Sequence, residues 1–362
     1  MMVDTSERVV QPYSANLFIT SLCNRKCPFC YLVNWVTNDE DSAQHMSLKG
    51  LRKIIQWLRE SNVDKVKLAG GEPLLHPDLL DFVNELSKNN ITLDGILTNG
   101  LGDTELYKQV ASITETNWLV NVTNPQTYTE EEWELLNTNL ETLKWKNADR
   151  SVKEYGFDTS GLRRLCLSIT FYEPNQDSSY IIELAKRYRC PVIRYDVSRP
   201  SSDKSNVHVN FDGLHAIKPT LMRFIRRCVH EGVKPGLDCA LPLCIFTQEE
   251  LMFLALFSNF YAICTPHLDV MPDLAVEYCT SMRGILPSYK IQKIPASQIF
   301  SELFSHANKH REYELSRCSN CYNYAKRLCQ GYCLRLKSDF LEQKQKFETK
   351  MRNQIRWPKF WR

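Results

Sequence analysis

The chain has 362 residues, of which 43% are hydrophobic and 24% charged, the composition of an ordinary globular protein. Its net charge of +3 is too small to indicate a nucleic acid or a membrane surface as a partner. The start, MMVDTSERVV, has no signal-peptide pattern, and the longest apolar stretch, residues 251–264, is too short to span a bilayer. We therefore expect a cytoplasmic protein, in which fourteen cysteines serve metal or redox chemistry rather than disulfide bonds.

Strand and helix patterns alternate through the first two hundred residues. They follow one another at 15–20, 47–58, 65–70, 77–86, 91–100, 103–114, 118–122, 130–145, 165–171, 177–188 and 191–196. This alternation predicts a parallel α/β sheet with right-handed crossovers, and six such units indicate a partial, open barrel. In the strand 165–171, small side chains such as Ser168 and Thr170 alternate with large apolar ones and are expected to face the lumen.

The pattern changes after residue 200. A polar, turn-rich stretch predicts a connector or lid and is followed by a helix at 212–231, whereas the residues from 239 onward are cysteine-rich and suggest short irregular segments stapled by metal. The end of the chain is basic and predicts an amphipathic helix. We predict four regions: a barrel at 15–200, a connector and helix at 201–238, a cysteine-rich domain at 239–335 and a basic helical tail at 336–362.

Three cysteines lie close together directly after the first predicted strand. The stretch SLCNRKCPFCYL, residues 21–32, contains Cys23, Cys27 and Cys30. A structural zinc site requires four ligands, whereas three thiolates on an iron–sulfur cubane leave one iron open to bind a substrate or a cofactor. A three-cysteine zinc knuckle is the alternative.

The C-x3-C-x2-C spacing on this loop, the GGEP at 70–73 after the second strand, LTNG at 97–100 and NVTNP at 121–125 resemble the radical S-adenosylmethionine (radical SAM) superfamily. The resemblance implies a (β/α)6 partial barrel in which Cys23, Cys27 and Cys30 hold a [4Fe–4S] cluster. Many members carry Ser-x-Asp where this chain has Asn121 and Thr123. The implied S-adenosylmethionine contacts are Phe29, Gly70, Gly71, Glu72, Pro73, Asn99, Asn121, Thr123, Ser168 and Arg194.

The later cysteines resemble the SPASM extension of radical enzymes that mature peptides and proteins. They are Cys239, Cys244, Cys264, Cys279, Cys318, Cys321, Cys329 and Cys333. The resemblance implies that one auxiliary [4Fe–4S] cluster is held by Cys264, Cys279, Cys333 and either Cys244 or Cys239, and a second by Cys318, Cys321 and Cys329. Three outcomes stay open for the second set: Cys239 completes it, it keeps an open iron, or only one auxiliary cluster forms. A zinc-stapled subdomain is the alternative.

The implied activity is reductive cleavage of S-adenosylmethionine to a 5′-deoxyadenosyl radical, which abstracts a hydrogen atom from a substrate. We expect that substrate to be a residue in a ribosomal peptide or protein, and the electron to come from an external flavodoxin-like or ferredoxin-like donor. A small-molecule substrate and a non-enzymatic iron–sulfur electron carrier are the alternatives. Neither a nucleic acid nor a membrane is an expected partner, and the sequence assigns no catalytic residue.

Overall fold

The computed structural model describes residues 14–144, 164–264, 268–291, 294–312 and 318–337. Its strands form one sheet in the order β10-β9-β8-β1-β2-β3-β4-β5-β6-β7. The pairs from β1 through β7 are all parallel, as the alternation of strands and helices predicts. The strands are β1 Ala15–Thr20, β2 Lys65–Gly70, β3 Thr92–Thr98, β4 Asn117–Asn121, β5 Arg164–Phe171, β6 Val192–Val197, β7 Lys234–Leu237, β8 Leu268–Val270, β9 Ala275–Glu277 and β10 Tyr289–Lys290.

Helices cover the outside of this sheet and bury their apolar faces against it. Their starts are set by local capping: the Ser47 hydroxyl accepts a hydrogen bond from the Gly50 N–H, and Thr129 and Glu132 form a capping box. No helix among the described residues is long and apolar enough to cross a membrane. The helices are α1 Leu48–Glu60, α2 Leu79–Lys88, α3 Thr104–Ile113, α4 Glu130–Leu143, α5 Ser179–Arg187, α6 Phe211–His230, α7 Gln248–Phe257, α8 Ala296–Glu312 and α9 Tyr322–Ala325.

The predicted fold class, an α/β partial barrel followed by a cysteine-rich C-terminal part, is confirmed, and the sheet is not closed. It contains more strands than the six predicted. β7 adds in parallel to β6 at one edge, and β8 adds in parallel to β1 at the other. β9 and β10 then continue the sheet as antiparallel strands. The C-terminal part is therefore joined to the barrel through backbone hydrogen bonds of the same sheet.

The expectation of short irregular segments after residue 239 is wrong for two stretches, because α7 and α8 are regular helices. In the polar connector, the N–H of Val207 donates to the carbonyl of Pro28 at 2.8 Å, and the Asn206 amide donates to the carbonyl of Phe29 at 3.1 Å. The connector thus packs directly against the first cysteine loop. The predicted basic tail lies, from residue 338 onward, outside the described residues.

Candidate functional site

The loop that follows β1 brings Cys23, Cys27 and Cys30 together. All three thiols are half-buried. The N–H of Cys30 donates to the carbonyl of Cys27 at 3.1 Å, which folds the second half of the motif into a turn. Burial raises the pKa of Cys23 to about 12, and the nearby charges of Glu72, Cys27 and Cys30 raise it further. Three such thiols are stable as thiolates only when a metal centre neutralises them.

Gly70 and Gly71 lie against the backbone of this loop. The N–H of Gly71 donates to the carbonyl of Thr20 and the N–H of Glu72 to the carbonyl of Leu22, both at 2.7 Å. A Cβ on Gly71 would lie 2.2 Å from the Leu22 carbonyl oxygen, and Gly70 has a φ of +147°. Glycine is therefore required here for close packing of two backbones, whether or not a ligand also approaches them.

Glu72 is fully buried, and its carboxylate joins the GGEP turn to the end of β3. It accepts hydrogen bonds from the N–H of Leu74 at 3.1 Å, the hydroxyl of Thr98 at 2.8 Å and the N–H of Asn99 at 2.7 Å. Burial raises its pKa to about 7, and these three donors oppose the shift. Pro73 begins the short 3-10 turn Pro73–Leu75 that follows.

Asn99 connects this network to the cysteine loop. Its side-chain amide donates to the Asn24 side chain at 2.7 Å and lies 4.0 Å from the Cys23 sulfur. The Asn24 amide in turn donates to the carbonyl of Leu101 at 3.2 Å. The LTNG segment, predicted as a cofactor contact, is thus placed beside the first cysteine of the motif.

Arg25, which the sequence analysis missed, attaches the cysteine loop to the end of β4. Its guanidinium donates to the Thr123 hydroxyl at 3.0 Å and to Glu132 at 3.1 Å, and it lies 4.0 Å from the centre of the Tyr128 ring. The Thr123 hydroxyl, a predicted cofactor contact, is therefore already paired with Arg25 and, at 2.7 Å, with Thr127. No local pattern reveals this contact, because Arg25 and Thr123 are far apart in sequence.

Three other predicted contacts form a row across the sheet. Asn121 on β4 is in register with Ser168 on β5, and Ser168 with Arg194 on β6. Neighbours in register on parallel strands share a face, so the row lies on one side of the barrel. Arg194 forms an ion pair with Asp238, and the buried Asn121 carboxamide oxygen has no hydrogen-bond partner within the described chain. Phe29, at the lumen end of the loop, stacks on Tyr172 at 5.2 Å.

The later cysteines form two groups. Burial raises the pKa of Cys264 to about 12, with a further contribution from Cys333, and burial with Asp269, Cys264 and Cys333 raises that of Cys279. Cys239 also neighbours Cys264. The first group is therefore Cys239, Cys264, Cys279 and Cys333.

The second group lies around the turn at Gly331. The N–H of Gly331 donates to the Cys329 sulfur at 3.3 Å, and a Cβ there would lie 3.2 Å from the Cys318 sulfur. Burial raises the pKa of Cys318, and the adjacent thiols of Cys321, Cys329 and Cys244 add to the shift. The exposed Cys244, far upstream, thus belongs with the three later cysteines.

A four-cysteine zinc site and a [4Fe–4S] cluster place their thiolates at different distances. In a four-cysteine zinc site the sulfur atoms are about 3.8 Å apart, from Zn–S bonds of about 2.3 Å in a tetrahedron. Among the described residues, the one group of three metal-ligating atoms within 4.8 Å of one another is Asp196, Asp238 and Cys239, so no three thiols are that close. A cubane, with an iron behind each sulfur, holds its thiolates farther apart.

The sequence analysis also missed residues at the end of the barrel. Asp196 follows Arg194 by two positions on β6, so strand alternation predicts that the two side chains share a face. No comparable sequence pattern predicts that Asp238 or Arg199 lies at this site. Tyr31 is 39% exposed, and burial of its phenol together with the charges of Asp269, Cys30, Asp238 and Cys279 raises its pKa, so the phenol lies near both the first cysteine loop and Cys279.

Comparison with known proteins agrees with this geometry. Residues 17–187 match the family model described as the radical SAM superfamily. This part of the chain is therefore a radical SAM domain. The family uses S-adenosylmethionine and a [4Fe–4S] cluster, so the cofactor prediction is confirmed, and family and relatives together indicate an iron–sulfur enzyme.

Curated relatives match over a shorter stretch. A probable GTP 3',8-cyclase of Methanococcus maripaludis is 32% identical over 118 residues, which are 32% of this chain and 38% of the relative. A GTP 3',8-cyclase of Pectobacterium atrosepticum is 32% identical over 89 residues, 24% of this chain and 27% of the relative. The chain therefore spans well under half of the length of these relatives.

Solved structures match over most of the chain. Streptococcus suis SuiB bound to its precursor peptide SuiA has a TM-score of 0.60 and 13% identity, covering 89% of this chain and 72% of that one. The protein anSMEcpe with bound AdoMet has a TM-score of 0.58 and 16% identity, covering 90% and 89%. At this identity the likeness establishes a shared fold.

We expect Gly71→Ala to displace the cysteine loop, because its new methyl group would overlap the Leu22 carbonyl. The loss should be about 1–3 kcal/mol in the free energy of unfolding, with reduced iron at the first cluster, measured by urea unfolding and iron analysis. Gly95→Ala is the matched control, because its Cβ would have only ordinary contacts, the nearest at 3.5 Å from the Asn117 carbonyl. Equal stability of the two variants would contradict this role of Gly71.

We expect Glu72→Gln to lower the unfolding free energy of the cofactor-free protein by about 1–3 kcal/mol, because an amide NH2 would face a backbone or hydroxyl donor. Urea unfolding without S-adenosylmethionine measures this. A residue that only binds the cofactor's ammonium group would leave that stability unchanged and weaken S-adenosylmethionine affinity alone, which calorimetry would reveal.

Proposed function

We propose that this protein is a radical SAM enzyme that abstracts a hydrogen atom from a residue of a ribosomal peptide or protein, assisted by two auxiliary [4Fe–4S] clusters. The proposal is supported by the proximity of the eight later cysteines to one another in two sets, in a chain that also contains a radical SAM domain. One structural zinc site requires four ligands, whereas these cysteines provide eight.

Cys23, Cys27 and Cys30 would hold the first cluster, leaving one iron for the cofactor. Reduced by an external flavodoxin-like or ferredoxin-like donor, a cluster at these thiols would supply the electron for reductive cleavage of S-adenosylmethionine. The chain's own residues do the positioning. Arg25 fixes the loop to β4, and Asn99 and Glu72 fix it to β3. The row Asn121, Ser168 and Arg194 offers polar groups to the cofactor along the lumen wall.

The substrate would enter the space beside Tyr31. Its phenol reaches from the residue after Cys30 toward Asp269, Asp238 and Cys279, so the radical site and the first C-terminal group border the same space. A bound substrate that shielded this region from water would protect a radical from stray hydrogen donors. Such an arrangement suits a reaction in which an auxiliary cluster accepts the electron that an oxidised product leaves behind.

We assign Cys239, Cys264, Cys279 and Cys333 to one auxiliary cluster and Cys244, Cys318, Cys321 and Cys329 to the other. Of the three outcomes left open for the second set, completion by Cys239 is therefore not the one we propose. Cys244 completes it instead, from upstream, and leaves no open iron. Each cluster would have four thiolates, the usual number for a [4Fe–4S] centre.

A peptide or protein substrate is supported by the extent of the fold likeness to SuiB, which covers 89% of this chain. That structure contains a precursor peptide. A nucleoside triphosphate is the second candidate, because the curated relatives are named GTP 3',8-cyclases. Their matches cover at most about a third of this chain, so they support the radical chemistry more than the substrate.

We expect Cys27→Ala to abolish S-adenosylmethionine cleavage while the C-terminal clusters stay in place, because the first cluster loses one of its three ligands. Anaerobic reconstitution followed by chromatography of 5′-deoxyadenosine tests this. Formation of 5′-deoxyadenosine at the normal rate would overturn the assignment of the first cluster.

In a variant with Cys23, Cys27 and Cys30 changed to Ala, we expect roughly eight irons per chain with matching sulfide, which corresponds to two auxiliary clusters. Adding Cys244→Ala should remove iron from one cluster only. Cys228→Ala is the control, since this buried thiol lies on α6. Stoichiometric zinc without sulfide would favour a structural staple, and roughly four irons before the Cys244 change would mean a single auxiliary cluster.

The substrate class is tested with the reduced enzyme and S-adenosylmethionine. We expect a short peptide encoded beside this chain to stimulate 5′-deoxyadenosine formation and to change mass, and GTP to do neither. Stimulation by GTP with a new nucleotide product would replace the peptide proposal, and uncoupled cleavage unaffected by either compound would contradict both.

A further inference from the structure

Arg199 is a buried arginine directly after β6, only 6% exposed. One of its nitrogens, Nη2, donates to Asp196 at 3.2 Å and to the carbonyls of Cys239 and Ala240 at 3.0 and 3.2 Å. Its guanidinium lies 4.7 Å from the centre of the Tyr332 ring. These contacts hold the cation between residue 239 and the turn that carries Cys333.

The other two nitrogens, Nε and Nη1, are buried and have no hydrogen-bond partner anywhere in the described ranges. A buried N–H without an acceptor is costly, and a guanidinium carries its charge at every accessible pH. Asp196 accepts from Nη2 alone. These two nitrogens carry three N–H groups, which therefore need acceptors that the described protein atoms do not provide.

Two residues of the first C-terminal group adjoin this cation: the carbonyl of Cys239 accepts from Nη2 at 3.0 Å, and Cys333 follows Tyr332, whose ring lies 4.7 Å from the guanidinium. Arg311 is the comparable cation on α8, but its guanidinium is occupied by the Cys264 carbonyl, Tyr278 and Asn308. Of Arg199 and Arg311, Arg199 therefore has the buried N–H groups that lack an acceptor among the described residues.

We propose that Arg199 donates its free N–H groups to sulfur atoms of the cluster held by Cys239, Cys264, Cys279 and Cys333, and so raises that cluster's reduction potential. This inference rests on the proposed function, because it requires an auxiliary cluster at these thiols. Reduction adds one electron to a centre that is already negative. A buried cation with hydrogen bonds to sulfur stabilises the reduced form more than the oxidised form.

The test uses the variant with Cys23, Cys27 and Cys30 changed to Ala, so that only auxiliary clusters give a signal. Arg199→Gln removes the charge, and Arg199→Lys keeps it without the planar fork. EPR-monitored redox titration should show that Arg199→Gln lowers the reduction potential of one cluster. At a fixed potential, the reduced-to-oxidised ratio of that cluster should fall at least tenfold, which corresponds to 59 mV for one electron. The potential of the same cluster in Arg199→Lys should lie between those of Arg199→Gln and the parent. Arg52→Gln is the control: Arg52 forms an exposed ion pair with Glu85, so its loss should leave the reduction potentials of the auxiliary clusters unchanged.

An Arg199→Gln protein with full iron content and the parent's potentials would overturn the proposal. If both variants fail to hold iron, pulsed EPR of the parent labelled with ¹⁵N-arginine decides instead, in an Arg311→Lys background because Arg311 contacts the Cys264 carbonyl. A ¹⁵N coupling to a reduced cluster is expected, and its absence would refute the role of Arg199. Failure of the proposed function is distinguishable, because then the parent would contain no auxiliary iron–sulfur signal at all.

Discussion

The close contact between the GGEP turn and the first cysteine loop is the constraint on which the rest of the site depends. Two backbone hydrogen bonds of 2.7 Å join Gly71 to Thr20 and Glu72 to Leu22, and a side chain on Gly71 would prevent both. Because the loop is fixed there, Glu72 reaches Asn99, and Asn99 reaches the residue that follows Cys23. The ends of β1, β2 and β3 are thereby held together around the first cysteine loop.

The same strand that leads into this loop also connects the C-terminal part. β1 lies between β2 and β8, so the barrel and the later cysteines are attached to its two sides. Asn16 on β1 donates to the buried Asp269 at 2.8 Å, and Asp269 accepts from the N–H of Thr280 at 3.1 Å, next to Cys279. A short hydrogen-bonded path thus joins β1, which leads into the first cysteine loop, to the segment that carries Cys279.

The part of the chain that matches the radical SAM family and the GTP 3',8-cyclases is shorter than the part that shares its fold with SuiB and anSMEcpe. The family match places residues 17–187 in the radical SAM superfamily, and the identity to GTP 3',8-cyclases is confined to about a third of the chain. The fold likeness to SuiB and anSMEcpe extends further, over 89% and 90% of this chain. Radical generation depends on the barrel alone, whereas substrate choice depends on what surrounds the lumen. The C-terminal part and Tyr31 are therefore where the substrate proposal has to be tested.

The sequence by itself determined the class of protein. The Cys23–Cys27–Cys30 loop, the GGEP turn and the alternation of strands and helices are local patterns, readable because neighbouring residues fix each backbone turn and each face of a strand. Only the tertiary structure decided which distant groups meet. It placed Cys244 near Cys318 and gave the Thr123 hydroxyl a hydrogen bond from Arg25. It also left two nitrogens of Arg199 buried and without a partner among the described residues. Such contacts join residues far apart in the chain, and their partners are set by sheet order and packing, which no local periodicity encodes.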